Sequence, residues 1–485
     1  MTGAVVVGSG PNGLAAAIRL AQAGLEVTVV EAHERAGGGT RTAELTLPGV
    51  LHDECSAFHP TAVASPFLAA LDLERHGLRW RWPEIDLAHP LDDGRAGLLA
   101  RDPAWVDRSL GSDAARWHRL FAPALRHFDD LIDEVFQPVV HVPRHPVTLG
   151  RFGLGAIQPA PWVVRRFRDE PARALLTGVA AHKFGRIDRP LGSSVGLMLA
   201  AAAQAVGWPV AEGGSESIAR ALVAELESLG GRVVTGVTVT SLPQLSEIAG
   251  AAPDVVVLDT APAGALDIAG DALHPRVRRA FRRFRYGPAA FKVDLAIEGD
   301  VPWTNEHCAR AGTLHLGGSA AEVVAIEAAT QRGEMPDRPF MLVGQQHVAD
   351  PSRSNGSVHP LYAYAHVPQD YPGDATDAML RQLERFAPGI RDQVVGTAVR
   401  DVPGWATYNA NYVGGDISAG ANTARQIVFR PRAGTDPYLL GPGLFLCSAA
   451  TPPGAGVHGM GGFHAAESAL ASLGLGARTG RPTPS

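Results

Sequence analysis

An α/β fold built on a parallel sheet is what this 485-residue sequence predicts, and three separated glycine-rich stretches predict it. Residues 4–31 read as strand, glycine turn, helix and strand. From Trp208 the chain reads as glycine turn, helix and strand, followed by the apolar run PDVVVLD (253–259) and a turn at Ala261 and Pro262. Gly443 to Leu473 reads as strand, loop and helix. The three pieces, 1–75, 208–275 and 436–476, form one discontinuous domain. The stretches between them, 76–207 and 276–435, form an inserted mixed α+β substrate domain, and 477–485 is expected to be a disordered tail.

The first stretch carries its own mechanics. Val5 to Val7 is a short buried strand, and Gly8, Gly10 and Gly13 then spell GxGxxG ahead of a helix over Leu14 to Ala23. Gly8 allows the tight turn, Gly10 lets backbone approach a pyrophosphate, and Gly13 lets helix and strand pack closely. Pro11 and Asn12 sit in the same turn, where the helix N-terminus offers unpaired N–H groups to a phosphate. A second strand, Val27 to Val30, ends on Glu31, eighteen residues beyond Gly13. That carboxylate is placed to accept hydrogen bonds from a ribose diol. The unit is a Rossmann-type dinucleotide site.

The next residues distinguish NAD from FAD. After Glu31 the chain runs AHERAGGGTRTAEL, and Glu31 with Gly37 and Gly38 makes Glu-x5-Gly-Gly. This resembles the second signature of flavoproteins related to amine oxidases and carotenoid desaturases. The resemblance implies that Ala32, Gly37, Gly38, Gly39, Thr40 and Arg41 lie against FAD. That family often has arginine directly after the two glycines. Here Gly39 stands there, and Arg41 is the candidate to take over.

The C-terminal stretch, GLFLCSAATPPGAGVHGMGGFHAAESALASL, predicts a strand over Leu444 to Cys447 and a helix over Met460 to Leu473. The loop between them lets backbone lie against a flat ring, and the helix N-terminus near Gly459 to Gly461 would face the flavin pyrimidine edge. Together the three elements resemble FAD-dependent oxidoreductases of the phytoene dehydrogenase (carotenoid desaturase) group, within the amine oxidase-like superfamily. LFLCSAATPPGAGVHG matches that group's LYLVGAGTHPGAGxxG, with Ser448 and Ala450 replacing glycines and Pro452 replacing histidine. TYNANYVGGDISAG (407–420) and ERFAPGI (384–390) resemble a divergent branch of it. The resemblance adds Val237, Ala449, Gly459 and Met460 to the cofactor contacts. It implies noncovalent FAD and a small apolar substrate, isoprenoid or lipid-like, oxidised by hydride transfer to flavin N5.

Composition narrows the classes further. A formal charge of −6 argues against a nucleic-acid binder. Three cysteines, Cys55, Cys308 and Cys447, without CxxC give no disulfide framework and no metal site. With no signal peptide and no apolar run long enough to span a bilayer, a cytoplasmic protein is expected. Only Lys183 and Lys292 are lysines among 43 basic residues, which makes each worth following.

In the interior pieces, Ser215 and Ser217 are candidate caps for the helix after Trp208. The first insertion reads mainly helical. Within it Trp162, Val163, Val164 and Phe167 alternate with Arg165, Arg166 and Arg168. That segment is either a core-facing stripe or a peripheral membrane contact. In the second, FKVDLAI (291–297) alternates like a half-buried strand, and Arg381 to Phe386 lies on a helix before Pro388.

Flavin carries the redox chemistry in such enzymes, so protein groups position and tune. Three side chains are candidate catalytic residues. Lys292 resembles the amine-oxidase lysine that holds a water beside flavin N5; its alternative is an ion pair with Asp294 or Glu298. His59 and His458 either face the ring or are structural. Tyr408, Asn409, Asn411 and Tyr412 either line the substrate cavity beside Trp405 or belong to the core. With no second GxGxxG, oxygen or a quinone is the expected electron acceptor. Two other functions stay open: an amine oxidase forming imine and peroxide, and a weakly catalytic FAD-bound interaction protein.

Overall fold

The computed structural model describes residues 2–475; the expected tail at 477–485 lies outside them. Gly3–Val7, valine-rich and buried on both faces, sits inside a six-stranded sheet. The strand order is Leu439–Gly441, Leu444–Leu446, Val255–Leu258, Gly3–Val7, Glu26–Val30 and Arg232–Val234. All neighbours pair in parallel except the outermost, Leu439–Gly441. Register sets Val7 opposite both Val30 and Leu258. The residues just past those strand ends, Gly8, Glu31 and Asp259, therefore share one edge of the sheet. Strands lie on both sides of Gly3–Val7, which makes this edge a switch point where such sheets bind ligands.

Helices Pro11–Gln22, Glu216–Ser228 and Met460–Ser472 cover one face, burying Leu14, Ile18, Leu222 and Phe463. The first and last of these lie in unusually close contact. A Cβ on Gly462 would run into the Asn12 carbonyl and lie 2.8 Å from Ala16 N. One on Gly459 would lie 2.9 Å from Ala15 Cβ. These C-terminal glycines serve helix packing. Pro262–Ala269 and Pro275–Phe281 cover the other face through Ala265, Val277 and Phe281.

The second sheet has seven strands, ordered Val394–Arg400, Ala289–Glu298, Val358–Val367, Met341–Gly344, Ala311–Leu316, Ile85–Pro90 and Ala96–Leu99. One sequence expectation is corrected here. The strand read as half-buried is buried throughout except at Glu298, because it pairs on both sides and its polar face is covered. The first insertion is mainly helical as expected, from Pro103–Leu110 to Ser194–Ala205, and ahead of those helices the hairpin Ile85–Pro90 and Ala96–Leu99 extends the sheet. Each strand is short and apolar, and the Asp92-Asp93-Gly94 turn between them was the usable signal.

Arg353 joins the two layers. Its guanidinium is fully buried and donates to Asp53 Oδ2 at 2.8 Å, Asp350 Oδ2 at 3.0 Å and the Ala211 carbonyl at 2.8 Å. Asp53 also accepts from Thr42 Oγ1 and from Ser215 N, and Asp350 from Gly213 N. The network crosses from the segment around the glycine turn to the second sheet. Removing the cation leaves two buried carboxylates without their partner, so Arg353→Met should lose about 3–5 kcal/mol of stability. Urea unfolding monitored by circular dichroism measures this, and a loss below about 1 kcal/mol would show that the layers hold without it.

Candidate functional site

A single cavity of about 1110 Å³ runs from the carboxyl edge of the parallel sheet to the second sheet. Its two ends differ in chemistry. At the sheet edge, Glu31 is nearly buried and its carboxylate is already oriented. Oε2 accepts from Ser9 N at 2.9 Å and Ser9 Oγ at 2.5 Å, and Oε1 from His33 N at 2.9 Å. Arg41 approaches the same Oε1 at 3.4 Å and is tied to the Arg35 and Tyr408 carbonyls. Arg41, rather than a residue at position 39, brings the cation to this acid.

The glycine turns meet here. A Cβ on Gly38 would lie 2.9 Å from Gly10 Cα, so the two signatures touch backbone to backbone. Segment 405–420 closes over them. Tyr408 OH donates to the Gly38 carbonyl at 2.8 Å, and a Cβ on Gly39 would collide with the Tyr412 hydroxyl. Arg400 lies over the Tyr408 ring at 4.0 Å. Buried Asp416 organises this segment by accepting from the backbone N–H groups of Gly287, Ser418 and Gly420.

From the first signature, Gly8, Gly10, Pro11 and Asn12 line the cavity, with Glu31. From the second, Ala32, Gly38, Gly39, Thr40 and Arg41 do, as do Val237 and Ala449. Tyr408, Asn409, Asn411 and Tyr412 also line it; Trp405 is buried behind them, donating to the Ala290 carbonyl. Gly13 and Gly37 stand behind the wall: Gly13 packs against the Gly8 carbonyl, and Gly37, at φ 123°, shapes its turn. At the C-terminal loop the wall is formed by Gly456 and Val457, while Gly459 and Met460 turn toward the helix Pro11–Gln22 side.

The three candidate catalytic side chains lie off the cavity wall. Lys292 is buried with Nζ paired to Asp294 and 4.4 Å from the Tyr362 ring centroid. Of its two readings the structure presents the ion pair, with burial pushing the ammonium's pKa down and Asp294 opposing that. His59 Nε2 bonds Ser215 Oγ at 2.8 Å. Ser215 therefore does not cap its helix, and Ser217 Oγ donates instead to the Glu212 and Gly214 carbonyls. His458 accepts from Met460 N at Nδ1, 3.0 Å, and its Nε2 lies 3.2 Å from the Gly454 carbonyl. Burial lowers both histidines to about 4, so both are neutral.

Asp259 was missed by sequence reasoning. It ends the strand Val255–Leu258, lines the cavity and accepts from Gly13 N at 3.0 Å. A carboxylate thus occupies the N-terminus of the fingerprint helix. Burial raises it to about 7, with Glu31 adding repulsion. The usable signal was the acid directly after VVVL.

Comparison with known proteins fits this geometry. Residues 6–71 match the NAD(P)-binding Rossmann-like domain. Over 97% of both chains, the protein is 27% identical to hydroxyneurosporene desaturase of Cereibacter sphaeroides. The chain thus carries a Rossmann-like nucleotide-binding segment and is similar over nearly its whole length to a desaturase. Its fold is that of a putrescine oxidase double mutant redesigned in cofactor binding (TM-score 0.62, 16% identity, 98% and 99% of the chains). It is also that of cyclohexylamine oxidase from Brevibacterium oxydans (TM-score 0.54, 16% identity, 98% of each chain). A flavin or dinucleotide cofactor goes with these relatives, and the glycine cradle beside Glu31 suits one.

A cofactor diphosphate held at this helix terminus would add negative charge beside Asp259 and raise its pKa further. Protonated Asp259 therefore binds the cofactor better, and affinity should fall as pH rises through about 7. Calorimetric titrations of the apoprotein at pH 6 and pH 8 should show the weaker binding at pH 8. Asp259→Asn should flatten the difference, and an equally steep pH dependence in that variant would remove Asp259 from the linkage.

Proposed function

We propose that the cofactor is noncovalent FAD and that the enzyme desaturates or otherwise oxidises an apolar, isoprenoid or lipid-like substrate. The observation that carries this reading is one cavity joining the dinucleotide cradle to an apolar end. That end is built from Phe184, Val195, Leu199, Trp208, Leu342 and Tyr364. What FAD supplies there is a ring that accepts a substrate hydride at N5. Glu31 holds the ribose, the Gly10 and Gly38 backbones admit the diphosphate, and segment 405–420 excludes water above it. Cys55 lines the cavity, but burial pushes its thiol pKa up, which favours a protonated thiol over flavin attachment. The acids on the described wall, Glu31, Asp259 and Asp267, belong to the nucleotide side. An ammonium substrate would find no carboxylate at the apolar end, which supports desaturation over amine oxidation. Oxygen or a quinone takes the electrons onward.

The substrate reaches the cavity from a membrane surface in this reading. Val140, Val142, Val147, Leu154, Ile157 and Trp162 are exposed large apolar side chains within one stretch, with exposed Arg144, Arg151, Arg165 and Arg166 among them. Val163, Val164 and Phe167 of the same stretch are core. The helix Pro146–Ala156 packs on Ser194–Ala205, which contributes Val195 and Leu199 to the cavity. Apolar side chains beside arginines suit an anionic bilayer face. Among the described residues no helix is long and apolar enough to cross it.

The purified protein should be yellow and release FAD on denaturation. An anaerobic screen should show flavin bleaching by isoprenoids or lipids. Bleaching by amines alone, with peroxide on aeration, would replace this reading with the amine oxidase one. Glu31→Ala should weaken FAD binding about 10–150-fold, as expected for a lost charge-assisted hydrogen bond. Lys292→Met should leave buried Asp294 without its ammonium partner and lower stability, while stopped-flow flavin reduction per folded molecule stays near wild type. A drop of about 10²–10⁴ in that rate would restore Lys292 as a proton-managing residue.

A further inference from the structure

The cavity's far wall holds polar groups that the proposed chemistry does not use. His182 follows the helix Glu170–Ala181, lines the cavity and packs edge-on against Trp208. Its Nε2 lies 2.9 Å from His315 Nε2. Behind them, His89 Nε2 lies 2.7 Å from the Gly318 carbonyl. The turn that presents His182 is held in place. Phe184 sits at φ 54°, with its ring 3.9 Å from that of His366, and Asn422 Nδ2 donates to the Lys183 carbonyl at 2.6 Å. A bulky residue at positive φ is costly and concentrates at functional sites.

The hydrogen-bond network assigns the tautomer of His89. A carbonyl only accepts, so His89 carries its proton on Nε2 and a lone pair on Nδ1. His89 Nδ1 and His315 Nδ1 are both buried beside Gly178, and neither has a hydrogen-bond partner among the described residues. The hydrogen bond between His182 Nε2 and His315 Nε2 uses one proton, so one ring donates and the other accepts. His182 Nδ1 makes no hydrogen bond among the described residues and is left as that ring's free valence. Burial keeps all three rings neutral, lowering His182 to about 3 and His89 to about 4.

A second group points the same way. Thr313 lies two residues from His315 on the same face of the strand Ala311–Leu316 and lines the cavity. Its hydroxyl is buried without a hydrogen-bond partner. A buried polar atom left unpaired is costly and calls for a ligand partner.

We infer that this wall is a hydroxyl-reading subsite, in which His182 Nδ1 accepts a hydrogen bond from an alcohol on an otherwise apolar substrate and Thr313 Oγ1 donates to the alcohol oxygen. The inference rests on the proposal that the apolar end takes the substrate. It specifies the ligand class as neutral alcohols. An ether lacks the proton that His182 requires, and a carboxylate meets neutral imidazoles with no cation to pair with.

The test uses the full chain with its bound cofactor and three probes of equal length: octan-1-ol, heptyl methyl ether and octanoate. Calorimetric titration should show the alcohol binding about tenfold more tightly than the ether, as one hydrogen bond to a buried acceptor implies, and octanoate weakest. His182→Phe keeps a ring and removes the acceptor; Thr313→Val keeps the shape and removes the hydroxyl. Each should cut the alcohol-over-ether ratio several-fold, and Thr313→Val covers the case where His182→Phe does not fold. Nitrogen-15 NMR of the unliganded protein should report His182 in its Nε2–H form. Equal binding of alcohol and ether to the wild type, or a ratio unchanged in both variants, overturns the subsite and leaves the apolar cavity intact. Failure of both probes to bind overturns the subsite together with the substrate reading.

Discussion

Burial of the Arg353 guanidinium between Asp53 and Asp350 is the constraint on which this architecture turns. A charge so placed has no access to water, and its position is tolerable only where both carboxylates and the Ala211 carbonyl meet it. Those partners come from chain segments far apart in sequence. Satisfying one cation therefore sets the Ser215 turn, the end of the second glycine signature and the loop at 350–353 in one arrangement. The cavity lies between the layers this arrangement joins. An apolar replacement of equal shape could be as stable in energy, yet it would not dictate orientation in the same way.

At the parallel sheet's edge the dominant physics is negative charge against backbone dipoles. Glu31 and Asp259 end adjacent strands on either side of Gly3–Val7, and both accept backbone N–H groups from the turn between them. Glu31 has three donors and the Arg41 guanidinium. Asp259 has no comparable cation and is pushed up to about 7. The helix terminus the two acids share is positive only in part, about half a charge, which is too little to hold two carboxylates and a diphosphate together without a proton.

The second sheet treats its polar residues by pairing them inward. Lys292 and Asp294 alternate with Phe291, Val293 and Leu295, and the polar face meets Tyr362 and His52 rather than solvent. The histidines of the far wall are kept neutral by burial. His89 donates to the Gly318 carbonyl, and His315 pairs with His182 at the cavity. Reactivity at this wall is therefore decided by which nitrogen holds a proton, not by net charge.

Local rules were enough for the nucleotide half. GxGxxG, Glu31 and the Gly37–Gly38 turn are short-range patterns whose spacing is set by one strand, one turn and one helix, and the cavity runs along most of them. Chain-distant relations were not legible. That Gly459 to Gly462 would pack on the first helix, that Lys292 would find Asp294 beneath Tyr362, and that Asp259 would reach Gly13 depend on how sheets and helices meet. The hairpin Ile85–Leu99 was hidden because its strands are too short to show a period. His182, His315, His89 and Thr313 carry no motif; they lie on separate helices and strands and share a wall only after folding. The sequence by itself determined the dinucleotide cradle and the class of chemistry, because those depend on local backbone geometry. Only the tertiary structure decided which side chains face the cavity, because burial, pairing and tautomer are properties of neighbours brought together across the whole chain.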